Sequence, residues 1–185
     1  DNFGRIHNYL RFSVTDKCNL NCVYCNPLVQ GIKKLRNDQI LTTEESVRLI
    51  SIFVKHFGFK KIRFTGGEPL ARKDILELIA KLKPLSRRLG LEIGLTTNGT
   101  MLKENLELLK YSGVSRLNIS LDTLRNDRFK QITGKDRLDD VVESILLAEY
   151  YGFKPLKINC VIMKGINDDE IIDFTYNGYN PIAIN

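Results

Sequence analysis

Apolar residues occur along the chain in short runs, and four of these runs follow a helix-like stretch that ends in a glycine. The runs cover residues 61–65, 92–97, 116–120 and 157–161, and they follow Gly58, Gly90, Gly113 and Gly152. A glycine just past a helix readily takes the left-handed conformation that ends it, because it has no Cβ. A further run over residues 9–15 has no helix before it. The pattern predicts five strands.

The stretches between the runs have helical spacing. Apolar residues three, four and three apart lie on one helix face at Val47, Ile50, Val54 and Phe57. Thr42 and Glu45 resemble a capping box at the start of this helix. Further helices are predicted over residues 74–89, where Pro84 is expected to kink or interrupt the helix, over 106–112, over 139–151, and from about Asp168.

Alternating strands and helices predict an α/β fold with a parallel sheet and right-handed crossovers. Five strands are too few for a closed eight-stranded barrel, so the prediction is an open or partial (β/α) barrel. In such sheets the chemistry lies at the C-terminal ends of the strands.

Composition adds the broad class. The 185 residues, 43% of them hydrophobic and 27% charged, suit one globular domain. No run of about eighteen apolar residues suggests a membrane span, and residues 1–7 do not resemble a secretory signal. We therefore expect a cytoplasmic protein without a membrane partner.

The net charge of +6 has two explanations. One is a solvated basic surface, and the other is an anionic ligand such as a phosphate ester. Nucleic acid is the weaker alternative, because Lys and Arg are dispersed along the chain and form no dense basic tract.

Three of the four cysteines crowd into the loop after the first strand. Cys18, Cys22 and Cys25 have the spacing C-x3-C-x2-C, and a loop of this length can wrap a compact iron–sulfur cluster. Three thiolates for four irons leave one iron open to a small molecule. In a cytosolic protein, such clustering favours metal or redox chemistry over disulfides.

Other uses of the cysteines remain open. A structural zinc site needs four ligands, and neither His7 nor His56 has the spacing to supply one. A disulfide would leave one of the three clustered cysteines unpaired. Cys160 falls in a predicted buried strand, where a single cysteine commonly packs as a small hydrophobe.

Two motifs resemble the radical S-adenosylmethionine (SAM) superfamily. The first is the cysteine motif with Tyr24 before its last cysteine, and the second is Thr65-Gly66-Gly67-Glu68-Pro69 at the end of the second strand. Further runs resemble the GTP 3′,8-cyclase family of molybdenum cofactor biosynthesis. They are Asp1-Asn2-Phe3-Gly4-Arg5, residues 9–16, Thr96-Thr97-Asn98-Gly99, residues 118–122 and residues 164–168. The resemblance implies a radical SAM domain over residues 1–174.

The resemblance also implies cofactors and site residues. A [4Fe–4S] cluster would be bound by Cys18, Cys22 and Cys25. S-Adenosylmethionine would be bound by Tyr24, Gly66, Gly67, Glu68 and Ser120, with the two glycines allowing close approach of the backbone. GTP would be bound by Arg11, Arg63, Thr96 and Lys157. An electron donor such as flavodoxin or ferredoxin, and a homodimer, are also implied.

The implied reaction is the first step of molybdopterin biosynthesis. A 5′-deoxyadenosyl radical removes hydrogen from C3′ of GTP, and the sugar radical attacks C8 of guanine. The product is (8S)-3′,8-cyclo-7,8-dihydroguanosine 5′-triphosphate.

The three basic residues of the GTP set make sense independently of the resemblance. Arg11, Arg63 and Lys157 come from three predicted strands, and a parallel barrel brings such side chains to a common centre. Arginine grips phosphate oxygens in a bidentate fork, and strand alternation turns Arg63 away from the apolar face. The alternative is an internal salt bridge of Arg63 with Glu68 or Asp122.

The sequence departs from the cyclase pattern in two places. Asn26 stands where the cyclases usually have methionine. Residues 175–185 are expected to be a divergent tail, and the C-terminal domain with a second three-cysteine cluster is absent from this sequence. Two rivals to a GTP cyclase therefore remain, namely a peptide-modifying radical SAM enzyme and a catalytically inactive fragment.

Overall fold

The computed structural model of the chain describes residues 2–25, 34–176 and 183–184. The strands are β1 (Tyr9–Ser13), β2 (Lys61–Thr65), β3 (Glu92–Thr97), β4 (Arg116–Ser120), β5 (Lys157–Asn159) and β6 (Ala183–Ile184). The helices are α1 (Thr43–His56), α2 (Ile75–Leu89), α3 (Leu106–Ser112), α4 (Asn126–Thr133), α5 (Leu138–Tyr150) and α6 (Ile171–Tyr176). None of these helices is long and apolar enough to span a bilayer.

All strands belong to one parallel sheet, in the order β1-β2-β3-β4-β5-β6. Because each right-handed crossover leads to the next strand in the same direction, the helices gather on one face. There α1 packs against α2, and α2 against α3. The predicted α/β fold and its five parallel strands are confirmed, and β6 is an additional short strand.

The two faces of the sheet differ sharply in polarity. The helix-covered face contributes the most deeply buried strand residues, among them Ile62, Phe64, Ile93, Leu95, Leu117, Ile119 and Ile158. The opposite face is polar, and its residues are aligned in rows by the strand register. One row runs Arg11, Arg63, Gly94 and Arg116, and the next contains Thr96, Asn118 and Lys157. Since parallel sheets are normally apolar on both faces, the polar face needs a functional explanation.

Helix α1 begins as predicted. The Thr42 side chain accepts a hydrogen bond from the Glu45 N–H, and the Glu45 carboxylate accepts one from the Thr42 N–H. Helix α2, in contrast, is not interrupted at Pro84. Pro84 and Ala80 are both exposed, so water can reach the carbonyl that the missing N–H cannot bond.

Two other elements differ from the prediction. Strand β5 ends at Asn159, because the Val161 N–H donates to Asp122 Oδ1 (2.9 Å). Cys160 therefore lies just outside the strand and is half-buried. Helix α4 was not predicted; it spans eight residues and ends at Gly134, which is left-handed. The predicted tail, residues 175–185, and Asn26 fall largely outside the described residues, so these two predictions stay predictions.

Candidate functional site

The loop that carries the cysteines packs directly on the glycine pair after β2. The Gly67 N–H donates to the Thr15 carbonyl (2.7 Å) and the Glu68 N–H to the Lys17 carbonyl (2.7 Å). A Cβ on Gly66 would lie 2.4 Å from the Thr15 oxygen, and one on Gly67 would lie 2.4 Å from the Lys17 oxygen. The chain's own cysteine loop therefore already requires both glycines, a role distinct from the close approach to a bound cofactor that was predicted for them.

Glu68 connects the turn after β2 to the end of β3. Its carboxylate is fully buried and accepts hydrogen bonds from the Leu70 N–H (3.0 Å), the Thr97 hydroxyl (2.9 Å) and the Asn98 N–H (2.7 Å). Burial raises its pKa, although the three donors oppose the shift. Both oxygens of this carboxylate are occupied by donors of the chain itself, and the cofactor contact predicted for Glu68 stays a prediction.

The middle of the cysteine loop is held at the end of β4. The Tyr24 hydroxyl donates to Asp122 Oδ2 (2.6 Å), and burial raises the pKa of Asp122. The loop backbone also bonds to the end of α4, through Asn21 N to the Thr133 carbonyl and Val23 N to the Ile132 carbonyl (both 2.9 Å). Sequence reasoning considered Asp122 only as a partner for Arg63, and no local pattern links it to Tyr24.

The three cysteines of the loop are free thiols; Cys18 and Cys22 are half-buried, and Cys25 is exposed. Burial is the main cause that raises the pKa of Cys22 to about 11, followed by the negative charge of Asp122. Burial likewise raises the pKa of Cys18. Without metal these two thiols are protonated at neutral pH, so that binding a metal requires release of protons.

The donor set of the cysteine loop is compatible with an iron–sulfur cluster. Cysteine sulfur is the ligand that these clusters use, and each thiolate of such a cluster binds a different iron. In residues 2–25, 34–176 and 183–184, no three His, Cys, Asp or Glu side chains are placed to hold one metal ion.

A cleft of about 660 Å³ lies along the polar face of the sheet. Its lining includes Arg63, Asn118 and Lys157 from three strands. The Arg63 guanidinium lies 5.9 Å from the centre of the Tyr9 ring. Within the part of the chain that the structure describes, its Nε and Nη1 atoms and Oδ1 of Asn118 are buried without a hydrogen-bond partner. The cleft is therefore a place where hydrogen-bonding capacity is unused.

The salt bridge considered as the alternative role of Arg63 is not formed, because Glu68 and Asp122 bond elsewhere. Arg11 is exposed and is the register partner of Arg63. Thr96 lies one row further along, in register with Asn118, which in turn pairs with Lys157. Ser120 ends β4 beside Asn159, on the side of the cysteine loop. The structure thus places the predicted GTP set on one face and Ser120 at its C-terminal edge.

Comparisons with known proteins identify relatives of the chain by sequence. The sequence model of the Radical SAM superfamily matches residues 12–175. The GTP 3′,8-cyclase of Listeria monocytogenes is 48% identical over 174 residues, which cover 94% of this chain and 51% of that protein. Molybdenum cofactor biosynthesis protein 1 of Homo sapiens is 47% identical over 175 residues, covering 94% of this chain and 27% of that protein.

A solved structure gives the same fold. Streptococcus suis SuiB bound to S-adenosylmethionine superposes with a TM-score of 0.71 at 22% identity, covering 92% of this chain and 38% of that chain. At this identity the similarity concerns the fold alone. The chain spans about half the length of the GTP 3′,8-cyclase that it matches.

Proposed function

The chain belongs to the radical SAM superfamily, and from this premise we propose that Cys18, Cys22 and Cys25 bind a [4Fe–4S] cluster with S-adenosylmethionine at its open iron. The single observation that carries the proposal is the cysteine loop, packed on Gly66 and Gly67 and bonded to the end of β4. When bound, cluster and S-adenosylmethionine together supply a 5′-deoxyadenosyl radical.

We further propose that GTP is the substrate and that it binds in the cleft on the polar face. Arg63 is half-buried, and its Nε and Nη1 atoms find no partner there among the described residues; such buried N–H groups are costly unless an acceptor meets them. Lys157 lines the same cleft, and Arg11 is the register neighbour of Arg63. Together they supply three positive charges for a triphosphate.

The remaining proposed contacts position the two ligands. Thr96 follows the basic row toward the strand ends and would orient the nucleoside. Ser120 and the backbones of Tyr24, Gly66, Gly67 and Glu68 would hold S-adenosylmethionine beside the cysteine loop. The polar face would then extend from the phosphate-binding residues Arg11, Arg63 and Lys157 to the cysteine loop. One bound substrate would contact both.

The relatives named GTP 3′,8-cyclase support this choice of substrate. The proposed product is (8S)-3′,8-cyclo-7,8-dihydroguanosine 5′-triphosphate, the first intermediate of molybdenum cofactor biosynthesis. A one-electron donor of the flavodoxin or ferredoxin class, a homodimer and a cytoplasmic location belong to the same proposal.

The test is cleavage of S-adenosylmethionine by anaerobically purified chain with a reconstituted cluster and reductant. We expect 5′-deoxyadenosine to form, to increase with GTP, and to vanish in a Cys18→Ala, Cys22→Ala, Cys25→Ala triple variant. Cleavage indifferent to GTP would favour the peptide-modifying alternative. A chain that binds the cluster but forms no 5′-deoxyadenosine would be the inactive fragment.

A further inference from the structure

Asn98 brings a side-chain N–H group to one of the three cysteines. It follows β3 directly, and its Nδ2 atom lies 3.7 Å from Sγ of Cys18 and 2.9 Å from Oδ1 of Asn19. The distance of 3.7 Å between Nδ2 and Sγ is within the range of a hydrogen bond, because sulfur has a larger radius than oxygen. Cys18 Sγ also accepts the Leu20 N–H at 3.4 Å. The sulfur of Cys18 thus receives one backbone and one side-chain donor.

The orientation of the Asn98 amide is determined by its neighbours. Its Oδ1 atom accepts hydrogen bonds from the Thr100 N–H (3.0 Å) and the Thr100 hydroxyl (2.7 Å). Flipping the amide would turn its NH₂ group toward a backbone N–H that can only donate, at the cost of that hydrogen bond. The NH₂ group therefore faces Asn19 and Cys18.

The backbone of Asn98 is held just as closely. Its N–H donates to Oε2 of Glu68 (2.7 Å), and that carboxylate is fully buried. On the other side, Asn19 Nδ2 donates to the Thr100 hydroxyl (2.8 Å). The donor group of Asn98 is therefore anchored to β2, to β3 and to the cysteine loop.

We propose that Asn98 tunes the iron–sulfur cluster by donating its side-chain N–H to the Cys18 thiolate, which raises the reduction potential of the cluster. The inference rests on the proposed function, in which Cys18 is a cluster ligand. Reduction adds negative charge that is shared with the sulfur ligands, so a donor at sulfur stabilises the reduced form more than the oxidised form.

A purely structural role for Asn98 makes a different prediction. If Asn98 only connected the cysteine loop to β3, then the loss of any hydrogen bond among Asn19, Asn98 and Thr100 would change the reduction potential of the cluster to the same extent. Thr100→Val is the matched control, because it removes a hydroxyl from this network and keeps the Thr100 N–H that bonds to Oδ1 of Asn98. Asn98→Leu removes the donor to sulfur without adding charge.

The experiment uses the full chain with a reconstituted cluster. Iron, sulfide and absorbance first establish cluster content in wild type, Asn98→Leu and Thr100→Val, and the midpoint potential then follows from a titration monitored by electron paramagnetic resonance. We expect a potential shifted to more negative values in Asn98→Leu and a near wild-type value in Thr100→Val. An unchanged potential in Asn98→Leu, or an equal shift in Thr100→Val, would overturn the proposal.

A second measurement tests the proposal if Asn98→Leu does not bind a cluster. The wild-type chain is labelled with ¹⁵N in asparagine side chains, and pulsed resonance of the reduced cluster detects a ¹⁵N coupling if such an amide donates to a ligand sulfur. A coupling that is present, and lost in Asn98→Asp, supports the proposal. Its absence in wild type overturns it. A wild-type chain that binds no cluster refutes the proposed function itself, a result that the iron content separates from the others.

Discussion

Two buried glutamates, Glu68 and Glu170, accept hydrogen bonds in the same way at the ends of two neighbouring strands. Glu68 accepts hydrogen bonds from the Thr97 hydroxyl and the Asn98 N–H (2.9 and 2.7 Å). Glu170 accepts them from the Thr123 hydroxyl and the Leu124 N–H (both 2.7 Å). In each case a fully buried carboxylate holds a threonine and the residue after it, and so shapes the loop that follows a strand.

The Tyr24 hydroxyl allows a direct test of how the cysteine loop is held in place. Tyr24→Phe removes the hydrogen bond to Asp122 and is expected to lower the free energy of unfolding by about 1 kcal/mol. Cluster content after reconstitution should fall as well, because the loop is less firmly held. Urea unfolding and iron analysis measure the two effects. Tyr150→Phe, at an 86% exposed tyrosine, is the control, and an equal loss there would contradict the account.

Gly67 should tolerate no side chain. The Cβ of Gly67→Ala would lie 2.4 Å from the Lys17 carbonyl oxygen, so the cysteine loop must shift. We expect a loss of roughly 2–3 kcal/mol in the free energy of unfolding and reduced cluster uptake. Gly94→Ala is the matched control, since the contacts of its Cβ begin at 3.6 Å. Similar behaviour of the two variants in urea unfolding would show that the close packing seen here is not required.

At the scale of elements, the Asp74 carboxylate joins the start of α2 to the start of α1 through the hydroxyl of Thr43. Asp74 precedes α2, and its carboxylate accepts hydrogen bonds from Arg72 Nε and Nη2 (both 2.9 Å) and from the Thr43 hydroxyl (2.5 Å). The Arg72 guanidinium is the main cause that holds the pKa of Asp74 well below its usual range. Because the side chain of Asp74 is 41% exposed, screening limits the contribution to about 1 kcal/mol.

This pair predicts a pH dependence with a definite sign. A carboxylate with a lowered pKa stabilises the folded state above its unfolded pKa of about 4, and the contribution disappears as pH falls below that value. Asp74→Asn should therefore be less stable than wild type at pH 7, with the difference shrinking below about pH 4. Urea unfolding at several pH values measures this. A difference that stays constant down to pH 3 would contradict the assignment.

Sequence reasoning was most accurate for elements with local signals. Strands β2, β3 and β4 have the predicted bounds, because a left-handed glycine and alternating polarity mark each one. Helix α4 was missed because eight residues with two buried apolar positions give little periodicity. The end of β5 depends on Asp122, which lies 39 residues away from Val161. No local pattern encodes such a contact.

The same limit applies to the site. The cysteine motif and the glycine pair were identified from their spacing, since those residues are close in the sequence. The contacts of Glu68, Asn98 and Asp122 were not identified, because each joins loops that follow different strands. Only the sheet topology brings those loops together.

At the scale of the whole molecule, the two faces of the sheet have different roles. Its apolar face and the helices form the core, while its polar face carries the basic residues Arg11, Arg63 and Lys157. A parallel sheet with one polar face is unusual unless a ligand or further protein meets it. GTP is the ligand proposed for that face.

Arg63 should dominate GTP binding in the cleft. Arg63→Ala removes the guanidinium whose two N–H groups lack partners, and it should weaken GTP affinity about tenfold or more, since a charge-assisted contact contributes about 1.5–3 kcal/mol. Calorimetry on the reconstituted chain measures this. Arg48→Ala, at an exposed position of α1, is the control and should leave affinity unchanged. Equal affinity in wild type and Arg63→Ala would place the nucleotide elsewhere.

Deuterium transfer from substrate to cofactor shows whether the cysteine loop and the polar cleft form one site acting on GTP. GTP deuterated at C3′ is incubated with the reconstituted chain, reductant and S-adenosylmethionine, and the 5′-deoxyadenosine formed is analysed by mass spectrometry. We expect deuterated 5′-deoxyadenosine, absent in the triple cysteine variant and reduced in Arg63→Ala. Formation of 5′-deoxyadenosine that carries no deuterium would show that the proposed joint site is wrong.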